Sequence, residues 1–326
     1  MGEFELIDRI RARLPRPAGR VRLGPGDDAA ITRPGGVTAT SVDAVVEGVH
    51  FRRDTAPLPS IGHKGLAAGL SDLAAMGAAT GEAYLVLGVP SDLTEDDAVD
   101  LFAGASGLAD ETGTELAGGD VVRSPVLFLS VTVVGHGASE DALVPRAGAR
   151  PGDAIAVTGE LGGAAAGLLL LEDPGLRGGV NDAAARFALG RHLEPWPRLS
   201  EGLALATAGA TAMIDVSDGF GAEAGHLAAA GGVGLSVDAS RLPVAPEATA
   251  VAAAAGRDRL ELAASGGEDY ELIACLPPDA VGPATRAVEA SGGRLTVVGE
   301  VGPGDGVRIR LPDGTRFEPG GYDQLG

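Results

Sequence analysis

The sequence predicts an α/β (α+β) chain folded as two domains, residues 1–145 and 146–326. Three observations carry that expectation. Apolar strand-like runs alternate with helix-patterned segments along the chain. A length of 326 residues is ample for two cores. Between the halves, Gly135 to Asp153 is rich in Gly, Pro and Arg and reads as a connection.

The first half opens on an amphipathic helix pattern, Phe4 to Leu14, closed by Pro15 and Pro17. A Gly/Pro turn at Leu23 to Asp27 precedes short strands at Ala29–Thr32 and Val37–Val42. Gly62 to Met76 reads as a helix, with Leu66, Leu70 and Leu73 on one face. Ala83–Val89 is an apolar strand, and Asp92-Leu-Thr-Glu-Asp starts a capped helix running to about Thr112. Val126–Val134 is the longest strand candidate. The second half begins with strand Ala154–Thr158 and a glycine turn into helix Ala164–Leu171. Helices follow at Asn181–His192 and Leu199–Ala208, and strand Ala212–Val216 enters a helix through Ser217-Asp218-Gly219. Strands at Val233–Val237, Tyr270–Leu276, Arg294–Val301 and Val307–Leu311 alternate with helices at Glu247–Ala255 and Ala280–Ala290.

Composition narrows the function. A formal charge of −20 disfavours a nucleic-acid partner, whose phosphates demand a basic surface. No apolar run is long enough to span a bilayer, and the acidic start lacks the basic, then apolar order of a signal peptide, so the expected location is the cytoplasm. The one cysteine, Cys275, lies in the apolar run Leu272–Leu276 and reads as a buried structural thiol. The chain has neither a G-x-x-x-x-G-K-[ST] loop nor a G-x-S-x-G elbow, and its histidines lack zinc-ligand spacing.

Six short acidic motifs carry the chemistry: Gly26-Asp27-Asp28, Ser41-Val42-Asp43, Ser71-Asp72, Gly118-Gly119-Asp120, Asp215-Val216-Ser217-Asp218 and Glu268-Asp269. Each has a bland reading as a turn or helix cap. Asp72 is the hardest to read that way, because it falls within a mostly apolar helix where an unpaired carboxylate is costly. Gly118-Gly119-Asp120 follows a short strand, where the glycines would let a ligand approach the backbone, and the glycine turn Thr158–Gly163 would offer N–H groups to phosphate. Two carboxylates about 4 Å apart repel by roughly 4 kcal/mol at an effective dielectric near 20, so converging acids need a cation. Oxygen-only ligands select a hard ion, magnesium carrying phosphates in the usual case. From the residues alone, the expectation is a magnesium-dependent enzyme acting on phosphates.

As a set and in order, these stretches resemble the thiamine-monophosphate kinases. The resemblance rests on Gly26-Asp-Asp-Ala, Asp43-Ala-Val-Val-Glu-Gly-Val-His-Phe51, Leu70-Ser-Asp-Leu-Ala-Ala-Met-Gly-Ala78, Gly118-Gly-Asp, Arg146 in its Pro-Arg-Ala-Gly context, Thr158-Gly-Glu-Leu-Gly, Ile214-Asp-Val-Ser-Asp-Gly, Ser265-Gly-Gly-Glu-Asp-Tyr-Glu-Leu272 and the closing Gly321-Tyr-Asp. It implies ATP-dependent phosphorylation of thiamine monophosphate to thiamine diphosphate, assisted by several magnesium ions. It also implies the two-domain fold of aminoimidazole ribonucleotide synthetase, with an N-terminal domain that binds ATP and magnesium and forms a homodimer.

Carried over by motif, the magnesium ligands would be Asp28, Ser41, Asp43, Asp72, Asp120, Asp215 and Asp218, with Asp72, Asp120 and Asp215 closest to catalysis. Gly119, Asp120, Arg146 and Ser217 would contact ATP, and His50, Glu268 and Tyr322 would hold thiamine monophosphate. The pattern is broken at Val42, Gly163-Ala164, Val121-Val122 and Pro319, where local contacts differ from the family's. The alternatives are another ATP-using enzyme of the same superfold and a non-catalytic binder of nucleotide or divalent cations.

Overall fold

The computed structural model describes residues 9–10, 12–14, 19–23, 30–33, 35–311 and 313–317. Asp28, Pro319 and Tyr322 lie outside the described residues, as does most of the predicted N-terminal helix. The chain divides into two compact units, residues 1–73 with 78–140, and residues 74–77 with 141–326.

In the first unit the described elements are β1 (Val21–Leu23), β2 (Ile31–Thr32), β3 (Val37–Val46), α1 (Leu58–Ala75), β4 (Ala79–Val89), α2 (Glu95–Thr112), β5 (Glu115–Arg123) and β6 (Phe128–Gly137). Four strands form one sheet in the order β3-β6-β4-β5, with β4 and β5 parallel and the other pairs antiparallel. The two helices lie close enough that a Cβ on Gly62 would stand 1.8 Å from the Leu101 carbonyl oxygen. The expected capped start of α2 is a capping box: Asp97 N–H donates to Thr94 Oγ1 and Thr94 N–H to Asp97 Oδ2.

Two strands are longer than their sequence pattern. Strand β3 continues to Val46, so Asp43 sits inside it rather than at its end. Strand β5 holds Gly118, Gly119 and Asp120 within its span. Its glycines and exposed acid hide the strand period, and pairing to β4 overrides the weak local preference.

The second unit contains β7 (Ala154–Thr158), α3 (Gly163–Glu172), α4 (Asp182–Leu193), α5 (Leu199–Ala208), β8 (Ala212–Asp215), α6 (Phe220–Gly231), β9 (Gly234–Asp238), α7 (Pro246–Ala254), α8 (Arg259–Ser265), β10 (Leu272–Leu276), α9 (Val281–Ala290), β11 (Leu295–Gly302), β12 (Val307–Arg310) and β13 (Arg316–Phe317). Its seven-stranded sheet has the order β13-β12-β9-β11-β7-β10-β8 and is antiparallel except for β12 on β9. Alternate residues of the central strands feed separate cores, as the strand period requires. Ile155, Val157, Ile214, Ile273 and Cys275 pack with Phe220 and Leu227 of α6. Ala156, Met213, Leu272, Ala274 and Leu276 pack with Leu205 of α5 and Val288 of α9. Burial pushes the Cys275 thiol up to about 12, which makes it an inert core group.

Candidate active site

In the first unit, the alternation of β3 turns Ala39, Ser41, Asp43 and Val45 toward one face and Thr38, Thr40, Val42 and Ala44 toward the other. Helix α1 covers the first of these faces. It comes close because Gly65 and Gly69 lie against the sheet, where a Cβ would stand 2.6 Å from Leu129 Cδ2 and 3.2 Å from Val133 Cγ1. Asp72 follows Gly69 by three residues and so shares that helix face. Ser41 Oγ donates a hydrogen bond to the Asp72 carboxylate, which is how a half-buried acid is tolerated in an apolar helix. Asp43, two residues along the same strand face, accepts the Ala44 N–H on Oδ1 at 2.7 Å. Ser41, Asp43 and Asp72 thus present hard oxygen atoms on one side of the sheet.

His50 lies in the turn after β3. The Val46 N–H donates to His50 Nδ1 at 3.1 Å, which leaves Nε2 as the protonated nitrogen of the neutral ring. The only lysine, Lys64, is buried and donates to the His50 carbonyl at 3.4 Å.

Asp120 is placed differently. The register Asp120–Val86–Ser130–Ala44 puts it on the face opposite Asp43. It is also at the far edge of the sheet, three strand spacings or about 14 Å away. Within the unit the fold therefore does not bring Asp120 to Asp43 and Asp72. Gly119 meets a need of the sheet. A Cβ there would stand 2.0 Å from the Leu85 carbonyl oxygen of β4.

In the second unit, two motifs far apart in sequence are stitched together by their backbones. Glu268 N–H donates to the Ser217 carbonyl at 2.7 Å, Tyr270 N–H to Val216 at 2.9 Å, and Val216 N–H to Glu271 at 2.7 Å. Gly267 fits beneath because a Cβ would stand 2.4 Å from the Ser217 carbonyl oxygen. Asp215, ending β8, is buried, while Asp218 is half-buried in the turn into α6. Arg146 is exposed on a short helical turn, Arg146–Gly148, beside β8, where Met213 N–H donates to the Pro145 carbonyl at 3.3 Å.

Glu268 and Tyr270 hold positive φ angles of 65° and 50°, a left-handed conformation that costs non-glycine residues about 1 kcal/mol or more each. Between them Asp269 is fully buried and accepts the N–H groups of Gly162 at 2.6 Å and Ala164 at 3.0 Å. The glycine turn before α3 therefore gives these donors to the chain's own carboxylate, not to a phosphate. Burial raises Asp269 to about 6, against the pull of Arg191 and the two N–H donors. Glu271 is buried between two guanidinium groups, Arg191 at 2.8 Å and Arg198 at 2.6 Å, and also accepts Thr158 Oγ1 at 2.9 Å. Of the four residues Glu268–Glu271, only Glu268 keeps partial exposure, and its carboxylate lies 3.3 Å from His192 Nδ1 on α4.

Sequence reasoning overlooked His192 and Glu223, which accepts bonds from the Ser217–Asp218 turn. For Glu223 a signal existed: an acid in the first turn of the helix that the motif opens. For His192 none did, since only tertiary packing brings it to Glu268. Among the described residues, no group of three or more His, Cys, Asp or Glu side chains is gathered around one point.

Family models match both halves of the chain. The AIR synthase related protein N-terminal domain matches residues 26–136, and the AIR synthase related protein C-terminal domain matches residues 150–312. The fold is accordingly the two-domain one of AIR synthase related proteins. Thiamine-monophosphate kinase from Mycobacterium tuberculosis is 40 % identical over 85 % of this chain and 81 % of its own length. The crystal structure of thiamine-monophosphate kinase from Stenotrophomonas maltophilia K279a superposes with a TM-score of 0.83 at 38 % identity, covering 97 % of this chain and 98 % of that one. AaThiL complexed with AMPPCP and TMP superposes with a TM-score of 0.77 at 29 % identity, over 98 % of this chain and 96 % of that one. Within the AIR synthase related class, the chain belongs to the thiamine-monophosphate kinase family.

Proposed function

We propose that this chain transfers the γ-phosphoryl group of ATP to thiamine monophosphate, forming thiamine diphosphate and ADP. The observation that carries this reading is 40 % identity to a thiamine-monophosphate kinase over 85 % of the chain. The bond from the γ-phosphorus to the bridging oxygen of ADP breaks, and a bond to an oxygen of the acceptor phosphate forms. That oxygen is already largely deprotonated near neutral pH, so the step needs no strong general base. The difficulty is electrostatic, since two polyanions must meet on a chain of net charge −20.

The donor set fits magnesium, which takes one or two carboxylates and completes its shell with water and phosphate oxygens. Of several such ions, some would be held by Ser41, Asp43 and Asp72 on the first unit and others by Asp215 and Asp218 on the second, with Asp28 and Asp120 completing the family's set. When bound, magnesium would neutralise the phosphates and align the attacking and leaving oxygens. Arg146, exposed on its turn, would add charge-assisted hydrogen bonds to ATP, and Gly119, Asp120 and Ser217 would contact the metal-bound nucleotide. His50 through Nε2–H, Glu268 through its carboxylate, and Tyr322 would hold thiamine monophosphate.

Residues 1–145 would then be the domain for ATP, magnesium and dimerisation, and residues 146–326 the C-terminal α/β domain. Support for a homodimer comes from the sheet face of the first unit that carries Val42, 68 % exposed, and Val122, 37 % exposed. Val42→Arg should shift the chain to monomer in sedimentation equilibrium, and an unchanged mass would remove that face from the interface. No described helix is long and apolar enough to cross a membrane, which agrees with a cytoplasmic site of action.

The deciding assay measures thiamine diphosphate formed from thiamine monophosphate and ATP, with and without magnesium. Magnesium-dependent product is expected. ATP binding without product would favour a different acceptor or a non-catalytic binder.

A further inference from the structure

Glu223 lies in the first turn of α6, five positions after Asp218, and is 3 % exposed. Its Oε1 accepts two hydrogen bonds, from Ser217 Oγ at 3.0 Å and from the Asp218 N–H at 3.2 Å. Its own N–H donates to the Gly219 carbonyl at 3.1 Å, so the residue closes the turn from both ends.

The Ser217 hydroxyl donates to the same carboxylate oxygen that the Asp218 N–H donates to, so Oε1 is the acceptor of both hydrogens. A hydroxyl has a single hydrogen and two acceptor lone pairs. Once that hydrogen is committed to a buried carboxylate, the serine oxygen has only lone pairs left for a ligand. Phosphate oxygens are acceptors as well and gain nothing from it. A cation is what a lone pair beside Asp218 attracts.

We propose that Glu223 is a positioning residue that fixes the Ser217 hydroxyl as an acceptor, so that Ser217 serves the divalent cation carried by the nucleotide and not its phosphate oxygens. This rests on the reading of the Ser217–Asp218 turn as part of the ATP and magnesium site.

The test is calorimetric binding of AMPPCP to the full chain, with magnesium and with chelator. Ser217→Ala should weaken binding about tenfold with magnesium and by less than about twofold without it. Glu223→Ala should give a similar magnesium-dependent loss, and the double variant no more than about twofold beyond either single one. Glu223→Gln, whose amide oxygen accepts the same two hydrogens, should stay within about threefold of the parent chain.

Equal losses from Ser217→Ala with and without magnesium would mean the hydroxyl meets phosphate directly and would overturn the proposal. So would fully additive losses in the double variant. Unchanged binding by Ser217→Ala would instead remove the turn from the nucleotide site, a failure of the underlying reading. The Ser217→Ala comparison decides the polarity even where Glu223→Ala fails to fold.

Discussion

Replacing Asp269 with alanine tests how the second unit holds Glu268 in place. The carboxylate is fully buried and is the acceptor for Gly162 N–H and Ala164 N–H at the start of α3. Alanine leaves both donors buried without that partner, at about 1–3 kcal/mol each. The deficit should depend on pH in a defined direction. Burial raises Asp269 from its ordinary 3.8 to about 6, so the folded chain keeps a proton that the unfolded chain has lost in between. Wild-type stability from this group is therefore greatest below the lower value and falls as pH rises toward the upper one. Integrated from pH 5 to pH 8, that loss is about 1 kcal/mol, from a full gap worth ~3 kcal/mol. Alanine carries no such loss, so Asp269→Ala should look worse at pH 5 than at pH 8. Urea unfolding of both proteins at the two pH values, followed by circular dichroism, measures the difference, and contributions from other acids cancel between them. A deficit that is equal at both pH values, or larger at pH 8, would refute the assignment of a raised Asp269. The variant should also raise KM for thiamine monophosphate more than KM for ATP, because Glu268 and Tyr270 would lose the anchor that keeps them left-handed.

Other substitutions separate chemistry from architecture. Asp72→Asn should lower turnover at least ~100-fold while circular dichroism stays unchanged, because the amide oxygen can still accept the Ser41 hydrogen. A folded variant with near-normal turnover would exclude Asp72 from the metal set. His50→Ala removes the Nε2–H donor and should raise KM for thiamine monophosphate about fivefold, with less effect on ATP. Equal effects on both substrates would cancel its assignment. Gly119→Ala forces a Cβ to 2.0 Å from the Leu85 carbonyl oxygen, so it should lower stability by at least ~2 kcal/mol in denaturant unfolding. A variant as stable as the parent would refute that steric role of Gly119 in the sheet.

Long periodic elements were legible from sequence because burial writes itself into spacing. Leu66, Leu70 and Leu73 mark α1, and the continuous apolar run of β10 marks a strand covered on both faces. Only the start of strand β5 was legible, because its central residues are chosen for close approach to β4 and not for a hydrophobic period. Helix α8 was missed for a different reason. It is short, Arg259–Ser265, and most of its stability comes from packing Leu260, Leu262, Ala263 and Ala264. The motifs showed where acids cluster but not what each acid does. Glu268, Asp269 and Glu271 look alike in sequence, yet one faces a histidine, one caps a helix and one neutralises two arginines.

That division of labour bears on how so acidic a chain handles phosphates. The groups that usually meet phosphate directly are largely committed inside the units. The N–H donors at the start of α3 belong to Asp269, and the guanidinium groups of Arg191 and Arg198 belong to Glu271. The hydroxyl hydrogens of Ser41 and Ser217 belong to Asp72 and Glu223. The same bonds leave serine lone pairs and carboxylate oxygens as what these motifs can offer a ligand, and such atoms bind cations. On the proposed reading, the acidic motifs would receive phosphate with its charge covered by a hard metal ion, and the exposed Arg146 would meet it directly. The surplus of acids would then be no obstacle to a phosphotransferase, because it would hold the cations that cover the phosphates.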